Sequence, residues 1–166
     1  SNYVQVQFQV QPTTHETIQS KQAFELHCRD YGVLIQKYIS DNGTAFTSLD
    51  FTKELSSFNQ TIRFAGVGAH HHNGHVERAI GTIMSISRTM LLHAAIHWPQ
   101  VSDPQLWPMA VQYAVFLWNH MPNEFTGLSP SDIFTRTRWP TRKFHDLHVF
   151  GCPAYVLDKS LAQSRS

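Results

Sequence analysis

Two carboxylates stand where α/β proteins commonly keep their chemistry. Asp41 opens the turn Asp41-Asn42-Gly43 directly after a predicted strand, and ligands of open α/β sheets gather beyond the carboxyl ends of strands. Glu77 falls in the first turn of a predicted long helix, on the shoulder of its apolar stripe. Each also has an ordinary explanation, because Asp-Asn-Gly is common turn chemistry and the helix dipole favours an acidic residue there. Both are therefore candidate catalytic groups with a plain structural alternative.

A cluster of histidines between the two carboxylates offers a second chemistry, zinc binding. The cluster comprises His70, His71, His72 and His75. Adjacent histidines do not converge on one ion, and only His71 and His75 have the spacing of ligands on one helical turn. Asn73 is predicted as the helix N-cap, which leaves His71 outside the helix. We therefore predict a polar loop here and no zinc site.

The periodicity of apolar residues predicts the elements that position these side chains. Residues 3–10 alternate strictly between apolar and polar side chains, which is typical of a half-buried strand. The following elements are a helix over 14–31 stopped by Gly32, a strand over 33–39, a short helix from Ser48 or Thr52 to Phe58, and a strand over 61–65. The long helix after Asn73 is predicted to end near His97, before Trp98-Pro99.

The rest of the chain is predicted to be mainly helical. A helix over 104–121 is apolar almost all round, which indicates that it is largely buried. Ser129 is a predicted N-cap for a short helix through Phe134, and residues 152–157 are predicted to form a strand. Strands that alternate with helices and are followed by a run of helices predict the α/β class with at least one parallel pair.

Composition narrows the function classes. The formal net charge is +1, so any contact with nucleic acid must come from local basic clusters or from protein outside this chain. Cys28 and Cys152 lack CxxC spacing and an elbow motif, which argues against a disulfide framework, a cysteine zinc site and a cysteine hydrolase. No apolar stretch is expected to span a membrane, and the first residues do not resemble a signal peptide.

Five motifs in order carry a resemblance to a known family. They are DNGTAF at 41–46, HNGHVERAI at 72–80, LWPMAVQYAVFLWNHMPN at 106–123, GLSPSDIF at 127–134 and LHVFGCPAYVLD at 147–158. Together they resemble the integrase core of copia-type long-terminal-repeat retrotransposons, over nearly the whole chain. The resemblance implies an RNase H-like fold that joins element DNA to target DNA, with an Asp, Asp, Glu triad holding two Mg²⁺ (or Mn²⁺) ions. Asp41 matches the second Asp of that triad, and Glu77 matches the Glu.

The resemblance also marks what this chain lacks. The first triad Asp belongs to a strand two strands before residues 3–10, and no Asp precedes Asp30. We therefore expect an amino-terminally truncated core over 1–125 that is inactive alone, and a carboxyl-terminal extension over 126–166. Without the middle strands of the family sheet, we expect either poor stability or direct pairing of residues 3–10 with 33–39. Ala45, His72 and His75 also depart from the family pattern.

Nucleic-acid contacts follow from the same resemblance. Asn73, Gly74, Arg78 and Arg88 are the candidate contacts, and Arg88 falls on the face of Glu77, about 16 Å further along the helix. A basic cluster follows in the carboxyl-terminal part of the chain, formed by Arg136, Arg138, Arg142 and Lys143. It either binds the DNA backbone or is an ordinary solvated surface. The implied partners are element and target DNA and further copies in a multimer, without a membrane, in the nucleus or a cytoplasmic particle. The alternative is a nonenzymatic remnant that binds nucleic acid or is purely structural.

Overall fold

A computed structural model describes residues 1–65, 70–100, 102–140 and 144–155, with the backbone alone at 70–73. Six helices and two strands lie in these ranges. In chain order they are α1 (Thr14–Asp30), β1 (Lys37–Ser40), α2 (Thr44–Thr47), α3 (Leu49–Ser57), β2 (Thr61–Phe64), α4 (His70–His97), α5 (Trp107–His120) and α6 (Pro130–Thr135). A 3₁₀ turn, Pro104–Leu106, leads into α5.

The two strands form a parallel sheet, as the α/β prediction required. Lys37 pairs with Thr61 and Ser40 with Phe64, and side chains alternate between an exposed and a half-buried face. Thr61 donates its N–H to the Gln36 carbonyl at 3.0 Å, one residue before β1 begins. Two strands alone form a marginal sheet, so packing by the surrounding helices must hold them together.

A buried polar network joins α1 to α3 and the sheet. Lys21 and Glu25 are 6% and 5% exposed, and the Lys21 Nζ lies 3.2 Å from Glu25 Oε1 and 3.6 Å from Glu54 Oε1. The Tyr38 hydroxyl and Gln60 Nε2 both donate to Glu25. Burial by itself raises the pKa of Glu25, but these hydrogen bonds and the Lys21 ammonium outweigh it and lower the pKa overall. The network fixes α1 against the base of β1.

The apolar core lies where α4 packs along α5. Its buried members are Ile83, Val111, Ala114 and Val115. The Ser87 hydroxyl donates a hydrogen bond to the Ile83 carbonyl of its own helix at 2.7 Å. Because this side chain is small and buried, α5 can approach α4 closely. Gly151 packs on α4 at Ala94, where a Cβ on the glycine would lie 2.7 Å from the alanine Cβ. The carboxyl half of α4 is therefore covered from two sides.

Residues 3–10 form no strand, so the prediction of a strand there is wrong. Val4 donates its N–H to Asn119 Oδ1 at 2.9 Å and accepts from Asn119 Nδ2 at 2.6 Å. A β-strand forms hydrogen bonds to the backbone of a neighbouring strand. Here the side-chain amide of Asn119 supplies such bonds to one residue only, Val4. Of the two alternatives for this segment, direct pairing with residues 33–39 is wrong, because among the described residues β1 pairs only with β2. Poor stability of the chain stays a prediction.

Local chemistry explains where other elements begin and end. Gly32 stops α1 as predicted, with φ at +68°, and its N–H and that of Val33 bond to the Arg29 and Cys28 carbonyls. This cap holds Val33, so β1 begins at Lys37 instead of residue 33. Residues 152–155 form no strand, and residues 156 and 157 of that prediction lie outside the described ranges.

Two predictions about the long helices need correction. Helix α5 is less buried than predicted, because Trp107 and Met109 on its outer face are half-exposed or more. Gly74–His97 in α4 has the length and apolar content of a membrane span, contrary to the expectation that no stretch approaches it. Core helices of soluble proteins meet the same criterion, and α4 packs Ile83 and Ala94 inward, so this finding is weak evidence for a membrane.

Candidate metal and nucleic-acid site

Asp41 lies exposed directly after β1, where its carboxylate is held through one oxygen. Its Oδ1 accepts from the Gly43 N–H at 3.2 Å and from the Ser40 hydroxyl at 3.4 Å. A Cβ on Gly43 would lie 3.1 Å from that same Oδ1, so glycine permits the close approach. Among the described residues, no donor faces the second oxygen, Oδ2. The carboxylate is oriented by its turn and retains one oxygen for a cation or solvent.

Glu77 lies exposed on α4, but the helix begins earlier than predicted. The backbone is helical from His70, so Asn73 sits within the first turn and is not the N-cap. Histidine and asparagine each cost less than about 1 kcal/mol relative to alanine inside a helix, which a 28-residue helix packed on α5 readily tolerates. Glu77 therefore occupies the third helical turn, where the described residues place no hydrogen bond or ion pair on its carboxylate.

The earlier start of α4 also removes one argument against zinc. With the helix starting at His70, the backbones of His71 and His75 lie one turn apart in the same helix. The His71 side chain is outside the described residues, and within the described residues no three His, Cys, Asp or Glu side chains form a group that could hold a metal ion. The zinc hypothesis is therefore favoured by the helical spacing of His71 and His75, but the described residues do not supply a full set of zinc ligands.

Asp41 follows the end of β1, and α4, which carries Glu77, follows β2 in the chain. The Ala65 N–H donates to the Ser40 carbonyl at 2.8 Å, so the end of β2 lies beside the residue that precedes Asp41. Helix α4 begins five residues after Ala65. Asp41 therefore lies beyond the carboxyl end of a parallel strand, where open α/β sheets bind their ligands, whereas Glu77 lies in the third turn of the helix that follows β2.

The candidate arginines on α4 differ in how they are engaged. Arg78 folds back along its own helix, with Nε donating to the Gly74 carbonyl at 3.0 Å and Nη2 at 3.4 Å from His75 Nδ1. Arg88 is exposed, and no described residue forms a hydrogen bond or ion pair with it. Arg88 is therefore better placed than Arg78 to meet a phosphate. The roles of Asn73, Gly74, Arg78 and Arg88 in nucleic-acid contact remain predictions.

The predicted basic cluster is only partly described. Arg136 ends α6 in the left-handed region with φ at 56°, and Arg138 is exposed nearby. Arg142 and Lys143 lie outside the described residues. Ser40 is a site residue that sequence reasoning missed, although its position directly before Asp-Asn-Gly was the available signal.

Solved structures share the fold. The catalytic core domain of BIV integrase matches with a TM-score of 0.58 and 18% identity, over 81% of this chain and 79% of that chain. The HTLV-2 integrase catalytic core domain in complex with magnesium, in a dimeric form, matches with a TM-score of 0.53 and 24% identity, over 80% and 76%. A chain of the simian T-cell lymphotropic virus intasome in complex with PP2A regulatory subunit B56 gamma matches with 0.61 and 21%, over 83% and 46%. At these identities the likeness shows the RNase H-like integrase fold alone, which confirms the predicted fold.

One curated protein is similar to this chain in sequence. The "Retrovirus-related Pol polyprotein from transposon TNT 1-94" of Nicotiana tabacum is 30% identical over 129 residues, which is 77% of this chain. The chain is similar in sequence to a retrotransposon polyprotein and in fold to retroviral integrase catalytic cores. The chain spans 9% of the length of that polyprotein. No family model matches it.

Proposed function

We propose that this integrase core supplies Asp41 and Glu77 to a Mg²⁺- or Mn²⁺-dependent centre that joins element DNA to target DNA. The observation that carries the proposal is the Asp41 carboxylate, oriented through Oδ1 by Gly43 and open at Oδ2, at the carboxyl end of a parallel strand. Carboxylate oxygens are the ligands that Mg²⁺ prefers. When bound, such ions stabilise the attacking and leaving oxygens of a phosphoryl displacement.

The described residues fit only part of such a metal site. They include no group of three potential ligands, and two carboxylates leave most of an octahedral shell to other donors. We therefore expect the isolated chain not to join DNA. In the complete enzyme, further ligands, DNA and additional copies of the integrase would complete the centre, in the nucleus or a cytoplasmic particle. The magnesium named for the HTLV-2 relative supports the choice of cation.

Manganese titration of the whole chain tests the metal proposal. Mn²⁺ broadens the NMR signals of nearby amides, so we expect the signals of Asp41 and Glu77 to broaden at the same Mn²⁺ concentration. Asp41→Asn should abolish the broadening at both positions. Asp50→Asn is the matched control, because Asp50 is an exposed carboxylate in the first turn of α3 and should leave the broadening unchanged. Broadening that is confined to one of the two carboxylates would contradict a shared centre.

A nonenzymatic nucleic-acid-binding role is the second candidate, favoured by the unengaged Arg88 and by the incomplete ligand set. The two functions differ in their dependence on metal and carboxylates. DNA affinity that falls steeply with salt, yet is unchanged by Asp41→Asn, Glu77→Gln and chelation of divalent metal, would favour binding alone. DNA joining by the purified chain, lost in either variant, would establish the enzyme and overturn the expected inactivity.

A further inference from the structure

The chain contains two Asn-Gly pairs, and the structure places them in different backbone environments. Asn42-Gly43 lies in the turn between β1 and α2, outside any helix or strand. Asn73-Gly74 lies inside α4, which begins at His70. Asparagine followed by glycine is open to intramolecular attack, because glycine has no Cβ to shield its backbone nitrogen. The two pairs are chemically alike, so only the fold distinguishes them.

Both reacting groups of the first pair are accessible. Asn42 is exposed, and its side chain makes no hydrogen bond to any described residue. Within the described ranges, the Gly43 N–H donates only to Asp41 Oδ1, at 3.2 Å, which is the long end of the usual range. The Gly43 nitrogen is therefore not held in a helix or a sheet. Local rotation alone can bring it to the side-chain carbonyl carbon of Asn42.

The second pair is held by helical geometry. In an α-helix each N–H donates to the carbonyl four residues earlier, which for Gly74 is the carbonyl of His70. Attack by the Gly74 nitrogen therefore requires the first turns of α4 to open, and such local opening costs free energy. The helix protects Asn73-Gly74, whereas the turn leaves Asn42-Gly43 able to react.

We propose that Asn42 deamidates spontaneously in the folded chain, whereas Asn73 is protected. The Gly43 nitrogen gives its proton to a solvent hydroxide and forms a bond to the side-chain carbonyl carbon of Asn42. The bond from that carbon to the side-chain nitrogen breaks, and the nitrogen leaves as ammonia after taking a proton from water. Water then opens the resulting succinimide ring at either carbonyl, which yields aspartate or isoaspartate at position 42. The reaction consumes only water and needs no oxidant or reductant.

The product places a new negative charge beside Asp41. The isoaspartate product also inserts the side-chain methylene of residue 42 into the main chain before Gly43. This insertion would displace the Gly43 N–H that orients Asp41 Oδ1. Deamidation thus converts a turn that orients one carboxylate into a turn that carries two. Any effect on metal binding rests on the proposed function, whereas the modification itself requires neither Glu77 nor a metal ion.

Peptide mass spectrometry tests the proposal on the whole chain, incubated without metal at mildly alkaline pH and digested afterwards. Deamidation appears as the mass gain of an amide-to-acid conversion in the peptide that contains each Asn-Gly pair. We expect position 42 to deamidate at least about tenfold faster than position 73, because α4 must open before Gly74 can react. In denaturing urea, where α4 is lost, the two rates should converge.

Two matched glycine variants test the attacking nitrogen. Gly43→Ala should slow deamidation at position 42, because its Cβ shields the nitrogen and would lie 3.1 Å from Asp41 Oδ1. Gly81→Ala is the control, since a Cβ on Gly81 meets nothing within 4 Å and no asparagine precedes it. Equal rates at positions 42 and 73 in the folded chain overturn the proposal. A rate at position 42 that is at least about tenfold lower in the folded chain than in urea also overturns it, because the turn would then protect Asn42.

Discussion

The Asp41 carboxylate has two unlike oxygens. Oδ1 is occupied by the Gly43 N–H and the Ser40 hydroxyl, whereas Oδ2 meets no donor among the described residues. The sequence predicted the turn and the carboxylate, because Asp-Asn-Gly chemistry is local. It did not predict the contribution of Ser40 or the distinction between the oxygens, since both depend on backbone geometry that residue types alone leave open.

A pH-dependent stability is expected from Glu25. Its pKa is lowered in the folded chain, so the folded state binds fewer protons than the unfolded state as Glu25 titrates. The stabilisation is therefore present above the unfolded pKa, near 4.5, and is lost as the pH falls through the lowered folded value. Urea unfolding between about pH 3 and pH 7 should show this loss in the wild type, and Glu25→Gln should flatten the curve.

The same variant tests the network itself. At pH 7, Glu25→Gln should reduce the free energy of unfolding by about 3 kcal/mol, because breaking a buried ion pair leaves Lys21 incompletely compensated. Glu124→Gln is the control, since Glu124 is exposed and makes no hydrogen bond among the described residues. Equal effects of the two variants would show that the buried network does not stabilise the fold.

At the scale of elements, the predictions succeeded where local capping decides the outcome. Ser48 caps α3, Gly32 ends α1 and Ser129 caps α6, each through contacts within a few residues. The predictions failed where contacts between residues distant in the sequence determine the structure. Residues 3–10 do alternate between apolar and polar side chains, but within the described ranges no strand pairs with them. The start of α4 at His70 likewise depends on a long packed helix, which outweighs the preference of Asn73 for a cap.

The cap of α6 permits a quantitative prediction. Ser129 Oγ accepts from the Asp132 N–H at 3.1 Å, and Asp132 Oδ2 accepts from the Ser129 N–H at 2.9 Å. Ser129→Ala should lower the free energy of unfolding by about 1 kcal/mol, because it leaves a helix N–H without its partner. Ser131→Ala, two residues further along, removes no such side-chain bond among the described residues and should change the free energy of unfolding by less than about 0.5 kcal/mol.

The attachment of residues 3–10 to α5 is the second element-scale prediction. Asn119 is buried and satisfies both backbone groups of Val4. Asn119→Ala should speed amide exchange at Val4 and lower the free energy of unfolding by about 2 kcal/mol, because two buried groups lose their partner. Gln112→Ala, exposed on the same helix, is the control. Unaltered exchange at Val4 in Asn119→Ala would mean that other contacts hold the segment.

At the scale of the whole molecule, the net charge is close to zero. Any DNA affinity must therefore depend on individual Arg and Lys side chains. The net charge of +1 supplies little general attraction, so one well-placed arginine should be measurable in the salt dependence. If Arg88 meets a phosphate, Arg88→Ala should reduce the slope of log affinity against log salt by about 1. Lys53→Ala removes the same charge from exposed α3 and should leave the slope unchanged. Identical slopes for both variants would exclude Arg88 as a contact.

The uneven cover of α4 sets how precisely Glu77 can be placed. The helix is held along α5 as far as the buried Ile83, whereas Glu77 lies in the exposed amino half, six residues away. At 1.5 Å per residue, the lever arm between them is about 9 Å. A tilt of about 5° at Ile83 therefore moves the helix axis at Glu77 by about 0.8 Å, which exceeds the tolerance of about 0.5 Å for a working site. Any further contact on the amino half of α4 would shorten that lever and hold Glu77 more precisely.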